Sequence, residues 1–161
     1  MRSNLVRSGA AALLACLLAA CTATGAVTWG LIAHQNTAVV LAFLDTVYNK
    51  HEVDQAFRLY VGPVYRQHDP RVPDGRDSAV KALTRLTHET DPQIRLEVKR
   101  TVAQGDLVAV HTRYTDEPPA HDSGRGRAVV DIFRLERGKI VEHWNVAEDI
   151  PDAAAQDNAM F

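Results

Sequence analysis

Asp131 is the residue whose position in the sequence most clearly suggests chemistry. It lies in a segment, Arg127 to Leu135, that alternates apolar and other residues as a half-buried β-strand does. If Arg137 and Gly138 form the turn to the next strand, Asp131 faces Trp144 within an apolar row. A carboxyl group there costs free energy unless it is paired, protonated or used. The pattern predicts either a chemical site at Asp131 or a buried aspartate satisfied by the backbone or by a nearby arginine.

His111 is a second titratable residue at a position where the alternating pattern predicts an apolar residue. A turn at Gln104-Gly105 pairs Val98 with His111 and places the imidazole on the apolar face of the preceding hairpin. Histidine can exchange a proton near neutral pH, but it can also be a hydrogen-bonded core residue. Asp131 and His111 form a site only if the sheet faces that carry them line the same cavity.

Three further residues could contribute to such a site. His68 ends an extended segment and is either a loop anchor or a cavity residue. Glu142 neighbours Phe133 in the predicted register, as a cavity acid or at the rim. His143 falls on the opposite face from Trp144, a placement that a β-bulge would reverse.

Composition and spacing exclude several classes of function. The 18 basic and 20 acidic residues are interspersed, which argues against a nucleic-acid surface. The histidines and aspartates have types that can bind metals, but their spacing is not diagnostic, and we predict no metal site. The sequence contains no phosphate loop, dinucleotide fingerprint or nucleophile elbow, so we expect no cofactor.

Helices followed by strands must position these residues. The helical spacing predicts helices from Asn36, as N-cap, to Asn49, from Asp54 to Tyr60, and from Asp77 to about Leu86. Alternating segments predict strands from Ile94 to Val102, Leu107 to Thr115, Arg127 to Leu135 and Lys139 to Ala147. Asp116 to Gly126 reads as a surface loop. This order indicates one α+β domain over residues 36–150, with a C-terminal tail over 151–161.

The first thirty residues read as an export signal. Arg2 and Arg7 precede an apolar run from Gly9 to Ala20, and the run ends in Leu-Ala-Ala before Cys21. This resembles the lipobox of bacterial lipoproteins, which implies a signal peptide over residues 1–20, a lipid on Cys21 and a linker over 21–35. The predicted location is the cell envelope, held at a membrane through that lipid. An uncleaved N-terminal membrane anchor and plain secretion are the alternatives.

The segments LYVGPVYRQHDPRVPDG, GDLVAVHTRY and AVVDIFRLERGKIVEHWNV resemble the SnoaL-like polyketide cyclase family of the nuclear transport factor 2-like superfamily. The resemblance covers residues 37–149 and the terminal Asn-Ala-Met-Phe. It implies a cone-shaped fold in which N-terminal helices pack in a strongly curved antiparallel sheet around a pocket. Members include cyclases that close rings by aldol condensation without metal or cofactor, and superfamily members often dimerise through the outer sheet face.

The resemblance also implies roles for particular residues. Asp131 matches a strand aspartate that acts as an acid or hydrogen-bond donor in the pocket, and His111 matches a histidine of the preceding strand. His68 belongs to the Gln-His segment of the subgroup. Asp69 stands before proline, roughly where the isomerases of the superfamily have their general base.

The leading hypothesis from the sequence is a cofactor-independent lyase or isomerase acting on a small carbonyl compound. His68 or His111 would be the base, and a protonated Asp131 would donate to the enolate oxygen. The expected ligand-binding residues are Trp144, Phe133, Tyr65 and Glu142. The alternatives are a non-catalytic envelope protein that binds a small apolar ligand, and a domain that binds a protein partner through its outer face. A homodimer is also expected.

Overall fold

The computed structural model describes residues 29–115, 126–151 and 160–161. Helix α1 spans residues 29–44 and ends in a π-helical turn, Asp45–Asn49. Helix α2 is Val53–Tyr60, and helix α3, Arg76–Arg85, ends in a second π-helical turn, Leu86–Thr90. The strands are β1 (Val61–Gln67), β2 (Arg95–Gln104), β3 (Leu107–Thr115), β4 (Arg127–Glu136) and β5 (Lys139–Asp149). The predicted α+β class is confirmed.

The five strands form a single sheet in the order β1-β5-β4-β3-β2. The last four strands pair antiparallel as consecutive hairpins, and β1 runs parallel to β5 at one edge. One face of the sheet packs against the helices, so its residues alternate between this inner face and an outer face. The inner-face residues and the helices share one core, with Phe57, Phe133, Leu44, Ile94 and Ile140 among its fully buried side chains.

Helix α1 begins earlier than its sequence pattern predicted. Asn36 lies inside the helix rather than at its N-cap, and its side-chain amide donates to the Gly105 carbonyl in the β2–β3 turn, 3.1 Å away. Residues 29–35 are helical although a linker was predicted there. The remainder of that predicted linker, the predicted signal peptide and Cys21 lie outside the described residues.

The end of α1 is tied to the edge of the sheet. Asn49 accepts a hydrogen bond from the Leu96 backbone N–H at 3.0 Å and donates to the Leu96 carbonyl at 3.2 Å. These bonds pair part of the exposed edge of β2 with a side chain. His51 then has a positive φ of 59°, which reverses the chain into α2. These contacts fix the end of α1 against β2.

The β4–β5 hairpin begins as predicted but changes register after two pairs. Arg137 and Gly138 both have positive φ, the geometry of a tight hairpin turn, and Leu135 faces Ile140. A β-bulge then adds Val141 to β5, so that Arg134 faces Glu142 and Asp131 faces Asn145. The predicted pairing of Asp131 with Trp144 is therefore wrong.

The β2–β3 hairpin also departs from the predicted register. The turn lies at Gly105 and Asp106, because Gln104 pairs with Leu107. His111 therefore pairs with Arg100 instead of with Val98, and a bulge at Lys99 then puts this pair on the opposite face of the sheet from Leu96 and Val98. The predicted placement of His111 on the apolar face is wrong for this reason.

The remaining predictions on organisation can be compared only in part. Most of the predicted surface loop and most of the C-terminal tail lie outside the described residues. None of the helices within the described ranges is long and apolar enough to cross a membrane.

Candidate active site

A cavity of about 230 Å³ lies between the helices and the inner face of the sheet. Helices α1 and α3 contribute mainly apolar side chains, and the strands contribute most of the polar ones. The lining residues used below are Phe43, Leu83 and Leu86 from the helical side, and Tyr65, Asp69, Tyr114, Asp131, Phe133 and His143 from the strand side. An apolar cavity with a few converging polar groups is the usual form of a small-molecule site.

Asp131 lies at the centre of the polar side of this cavity. Only 2% of the residue is exposed, and its two carboxyl oxygens have different partners. Oδ1 is 3.0 Å from Nε2 of His143, and Oδ2 accepts a hydrogen bond from the Tyr114 hydroxyl at 3.2 Å. The sequence placed Asp131 on the inner face, and the structure confirms that placement.

His143 is held on both of its ring nitrogens and on one ring face. Its Nδ1 is 3.0 Å from the side-chain oxygen of Gln67, and its ring stacks on Phe133 with centroids 4.7 Å apart. His143 reaches the inner face because the extra residue Val141 shifts the alternation of β5 by one. Asp131 and His143 thus form a buried pair that lines the cavity.

Three tyrosines surround the pair and remain protonated. Burial raises the pKa of Tyr48 and of Tyr114, and the nearby negative charge of Asp131 raises both further. Burial is also the main cause of the raised pKa of Tyr65, whose hydroxyl oxygen accepts a hydrogen bond from Gln67 at 3.3 Å. Tyrosines in this state are hydrogen-bond donors and cannot act as bases near neutral pH.

Asp69 also lines the cavity but is chelated by its own loop. Its carboxylate accepts three hydrogen bonds from Arg71, two from the guanidinium at 2.9 and 2.8 Å and one from the backbone N–H at 2.9 Å. The Arg71 contact is the main reason that the pKa of Asp69 falls to about 2. Asp69 is therefore a fixed carboxylate and a weak base.

His68, Glu142 and Trp144 form a separate group on the outer face, away from the cavity. The His68 ring stacks flat on Trp144 with centroids 4.7 Å apart, and its Nε2 is 2.9 Å from Glu142 Oε1. Glu142 also pairs with Arg134 at 2.7 Å, and these two bonds, with Arg134 first, lower the pKa of Glu142. The bulge at Val141 carries Glu142 and Trp144 to this face. Their predicted places in the pocket, and that of His68, are wrong.

His111 also lies on the outer face. Its strand partner in β4 is Val130, which neighbours Asp131 but points the other way. The His111 ring contacts the Arg100 guanidinium at 2.8 Å and stacks on Phe161 with centroids 5.2 Å apart. Partial burial, and then the charge of Arg100, lower the pKa of His111. His111 and Asp131 do not share the cavity.

The cavity therefore combines predicted and unpredicted residues. Phe133 and Tyr65 line it, as expected. Sequence reasoning missed His143 because it depends on a bulge, and it missed Tyr114 and Gln67 because their partners come from distant strands. One weak signal was available for the bulge: Arg134 and Glu142 become direct cross-strand neighbours of opposite charge only when an extra residue is inserted.

The chemistry that this arrangement can perform is proton transfer in an apolar setting. A carboxyl–imidazole pair can accept and return a proton, and neutral tyrosine hydroxyls can stabilise an oxyanion. Among the described residues, no group of three or more histidines, cysteines, aspartates or glutamates is placed to hold a metal ion.

Comparisons with known proteins agree with this architecture. The family model described as the SnoaL-like domain matches residues 40–143. A proposed SnoaL-like polyketide cyclase from Jannaschia sp. CCS1 superposes with a TM-score of 0.61 at 23% identity, over 73% of this chain and 88% of that one. No curated protein matches the sequence.

Two further solved structures have the same fold at low identity. A proposed ketosteroid isomerase from Kribbella flavida has a TM-score of 0.60 at 16% identity, with 77% of this chain and 85% of that one covered. IdmH from Streptomyces antibioticus, a proposed polyketide cyclase, has a TM-score of 0.56 at 20% identity, with 71% and 93% covered. Because the family model spans residues 40–143 of the 161, the chain belongs to the SnoaL-like domain family of the nuclear transport factor 2-like superfamily and has its cone-shaped fold.

Proposed function

We propose that this protein is a cofactor-independent lyase or isomerase that performs acid–base chemistry on a small carbonyl compound. The observation that carries the proposal is the Asp131–His143 pair, buried at the wall of an apolar cavity beside protonated tyrosines. Proton removal next to a carbonyl creates an enolate, which needs a base for the proton and a donor for the oxygen. The cavity offers both.

The roles differ from those expected from the sequence. Asp131 would take the α-proton, with His143 sharing the resulting charge through the 3.0 Å contact. Tyr65 would donate to the carbonyl oxygen, because its hydroxyl oxygen is already bonded to Gln67 and its hydrogen remains available for a ligand. Return of the proton at another carbon gives an isomerase, and attack of the enolate carbon on a second carbonyl gives an aldol-type cyclase.

The size of the cavity limits the substrate. Its volume of about 230 Å³ is below the roughly 300–1,000 Å³ of common ligand pockets. The side chains opposite the polar wall, Phe43, Leu83 and Leu86, are apolar. We therefore favour a compact, mostly hydrocarbon ketone or aldehyde over a large multi-ring polyketide.

Hydrogen–deuterium exchange tests the proposal without knowledge of the natural substrate. The protein is incubated in deuterated buffer with a panel of small cyclic ketones, and loss of each α-proton signal is followed by NMR. We expect at least one ketone to exchange about tenfold or more faster than with buffer alone. If ketones bind but none exchanges faster than in buffer, catalysis is contradicted.

A second function is favoured by one observation, namely that both carboxyl groups of the cavity already have hydrogen-bond partners. Asp69 is paired with Arg71, and Asp131 is bonded to His143 and Tyr114. A cavity of this kind could hold an apolar ligand without reacting with it. Native mass spectrometry of the mature protein from its source tests this, since a pure binding protein should carry an unmodified small molecule.

We also propose that the protein acts at the cell envelope, attached through a lipid on Cys21, and that it forms a homodimer through the outer face. The dimer is supported by exposed apolar residues there, including Val102 and Val146, each 70% exposed. Light scattering of the protein and of Val146→Asp tests the interface. We expect a dimer that the substitution converts to a monomer, and a monomeric wild-type protein would contradict the interface.

A further inference from the structure

We propose that Gln67 is a positioning residue that fixes the proton on Nδ1 of His143, so that His143 and Asp131 share one further proton between them. This proton arrangement deepens the proposed function, and its effect on catalysis rests on that function. The proton arrangement itself follows from three contacts and can be measured in the resting protein.

The first contact fixes the orientation of the Gln67 amide. The backbone N–H of Asp69 can only donate, and it lies 3.0 Å from the Gln67 side chain, so the atom that it meets must be the oxygen Oε1. The amide nitrogen Nε2 then points to the Tyr65 hydroxyl at 3.3 Å. Rotating the amide by half a turn would place two donors against each other at Asp69.

The second contact transfers this orientation to His143. The same oxygen of Gln67 lies 3.0 Å from Nδ1 of the imidazole. An amide oxygen only accepts hydrogen bonds, so Nδ1 must carry the hydrogen. The backbone N–H of Asp69 thus determines, through the side chain of Gln67, which ring nitrogen of His143 carries the hydrogen.

The third contact determines the state of the pair. With Nδ1 protonated, a neutral imidazole presents a lone pair at Nε2, which lies 3.0 Å from Oδ1 of Asp131. A carboxylate oxygen there would also present a lone pair, and two buried lone pairs repel. One proton must therefore lie between Nε2 and Oδ1, and the pair as a whole carries no net charge.

This fixing of the proton on Nδ1 of His143 by Gln67, which we call the lock, has a consequence for catalysis. Without the Gln67 oxygen, His143 could protonate Nε2 alone and donate to an ionised Asp131, and the pair would carry one negative charge in an apolar cavity. A negative charge in an apolar cavity costs free energy, and the Asp131 carboxylate would be bonded to a neutral His143 ring rather than to an imidazolium. When the neutral pair takes a substrate proton it gains one positive charge beside the negative enolate, whereas the anionic pair would become neutral and leave the enolate charge without a counter-charge. Gln67 therefore keeps in place the proton whose charge stabilises the enolate.

Nitrogen NMR of histidine labelled with ¹⁵N tests the lock directly. The His143 signals are identified by their loss in His143→Gln. In the wild type, Nδ1 should have the chemical shift of a protonated nitrogen at neutral pH. In Gln67→Met, which has similar volume but only a weakly accepting sulfur, Nδ1 should move toward the shift of an unprotonated nitrogen. Gln67→Glu keeps an acceptor oxygen and should retain the protonated Nδ1.

Activity is measured on the same variants with any ketone that the wild type exchanges. We expect Gln67→Met to lose about tenfold or more in α-proton exchange. Gln55→Met is the matched control, since Gln55 lies on the exposed surface of α2, where its side chain donates to Glu52, and it should change neither readout.

The two proposals fail in different ways. An unprotonated Nδ1 in the wild type, or a protonated Nδ1 that persists in folded Gln67→Met, would overturn the lock whatever the activity. A protonated Nδ1 that responds as expected, in a protein that exchanges no ketone, would leave the lock established and would remove the proposed reaction instead.

Discussion

At the scale of single residues, two aspartates line the same cavity and differ in what holds them. Asp69 is bonded to the Arg71 guanidinium and backbone N–H, while Asp131 is bonded to an imidazole and a phenol. A guanidinium is permanently charged and keeps its partner ionised, whereas an imidazole can take or release a proton. The environment thus separates a structural carboxylate from one that can take part in proton transfer.

The Asp69–Arg71 contact predicts a pH dependence of stability. The pKa of Asp69 is about 2 in the folded protein against 3.8 for an unperturbed aspartate, so folding favours the ionised form. The stabilisation is complete above pH 3.8 and is lost as pH falls through about 2. Urea unfolding across this range should show a decrease in the free energy of unfolding that Asp69→Asn reduces. An identical decrease in the variant would contradict the assignment.

Residue identity alone predicted part of this site. Asp131 could be placed on the inner face because the alternation of β4 is unbroken from Arg127 to its end. His143 could not, because its face depends on one inserted residue in β5. Gln67 and Tyr114 are polar residues that look ordinary in the sequence, and each contacts the Asp131–His143 pair across more than fifteen positions of the chain.

At the scale of secondary-structure elements, β-bulges decide which side chains meet. The bulge at Val141 sends His143 to the cavity and Trp144 to the outer face, and the bulge at Lys99 places His111 and its partner Arg100 on the opposite face from Leu96. Helix and strand boundaries follow from periodicity and turn residues, and most were predicted within a few positions. A bulge breaks the period of two without a residue type that marks it, so register was the part that the sequence could not determine.

The division of β4 between two faces predicts unequal effects of neighbouring substitutions. Phe133 is 1% exposed and contacts His143 and Phe43, while Ile132 is 36% exposed on the outer face. Phe133→Ala should lower the free energy of unfolding by about 3–5 kcal/mol through loss of packing and cavity formation. Ile132→Ala should cost about 1 kcal/mol or less. Equal effects in chemical denaturation would contradict the assignment of the faces.

At the scale of the whole molecule, the cone places its chemistry on the inside and leaves the outer face for other uses. The helices cover one side of the sheet and leave a cavity between the two layers. The outer face carries the His68–Trp144 stack, the Glu142–Arg134 pair and exposed valines. Residue types that suggest catalysis are present on both faces, and only the fold separates them.

The proposed envelope attachment gives a prediction for the intact chain. Cys21→Ser removes the thiol that would receive the lipid, so the protein should no longer incorporate a labelled fatty acid and should leave the membrane fraction. A serine variant that stays in the membrane after an alkaline wash would instead indicate an uncleaved anchor. A wild-type protein found free in the medium would indicate plain secretion.

The proposed reaction places proton transfer at Asp131, inside the cavity, rather than at the histidines of the outer face. The most direct test compares the α-proton exchange rate of the wild type with those of Asp131→Asn and His111→Gln, with circular dichroism to confirm folding. We predict that Asp131→Asn lowers the rate by well over about tenfold and that His111→Gln leaves it unchanged. Unchanged exchange in folded Asp131→Asn, or its loss in His111→Gln, would contradict the account.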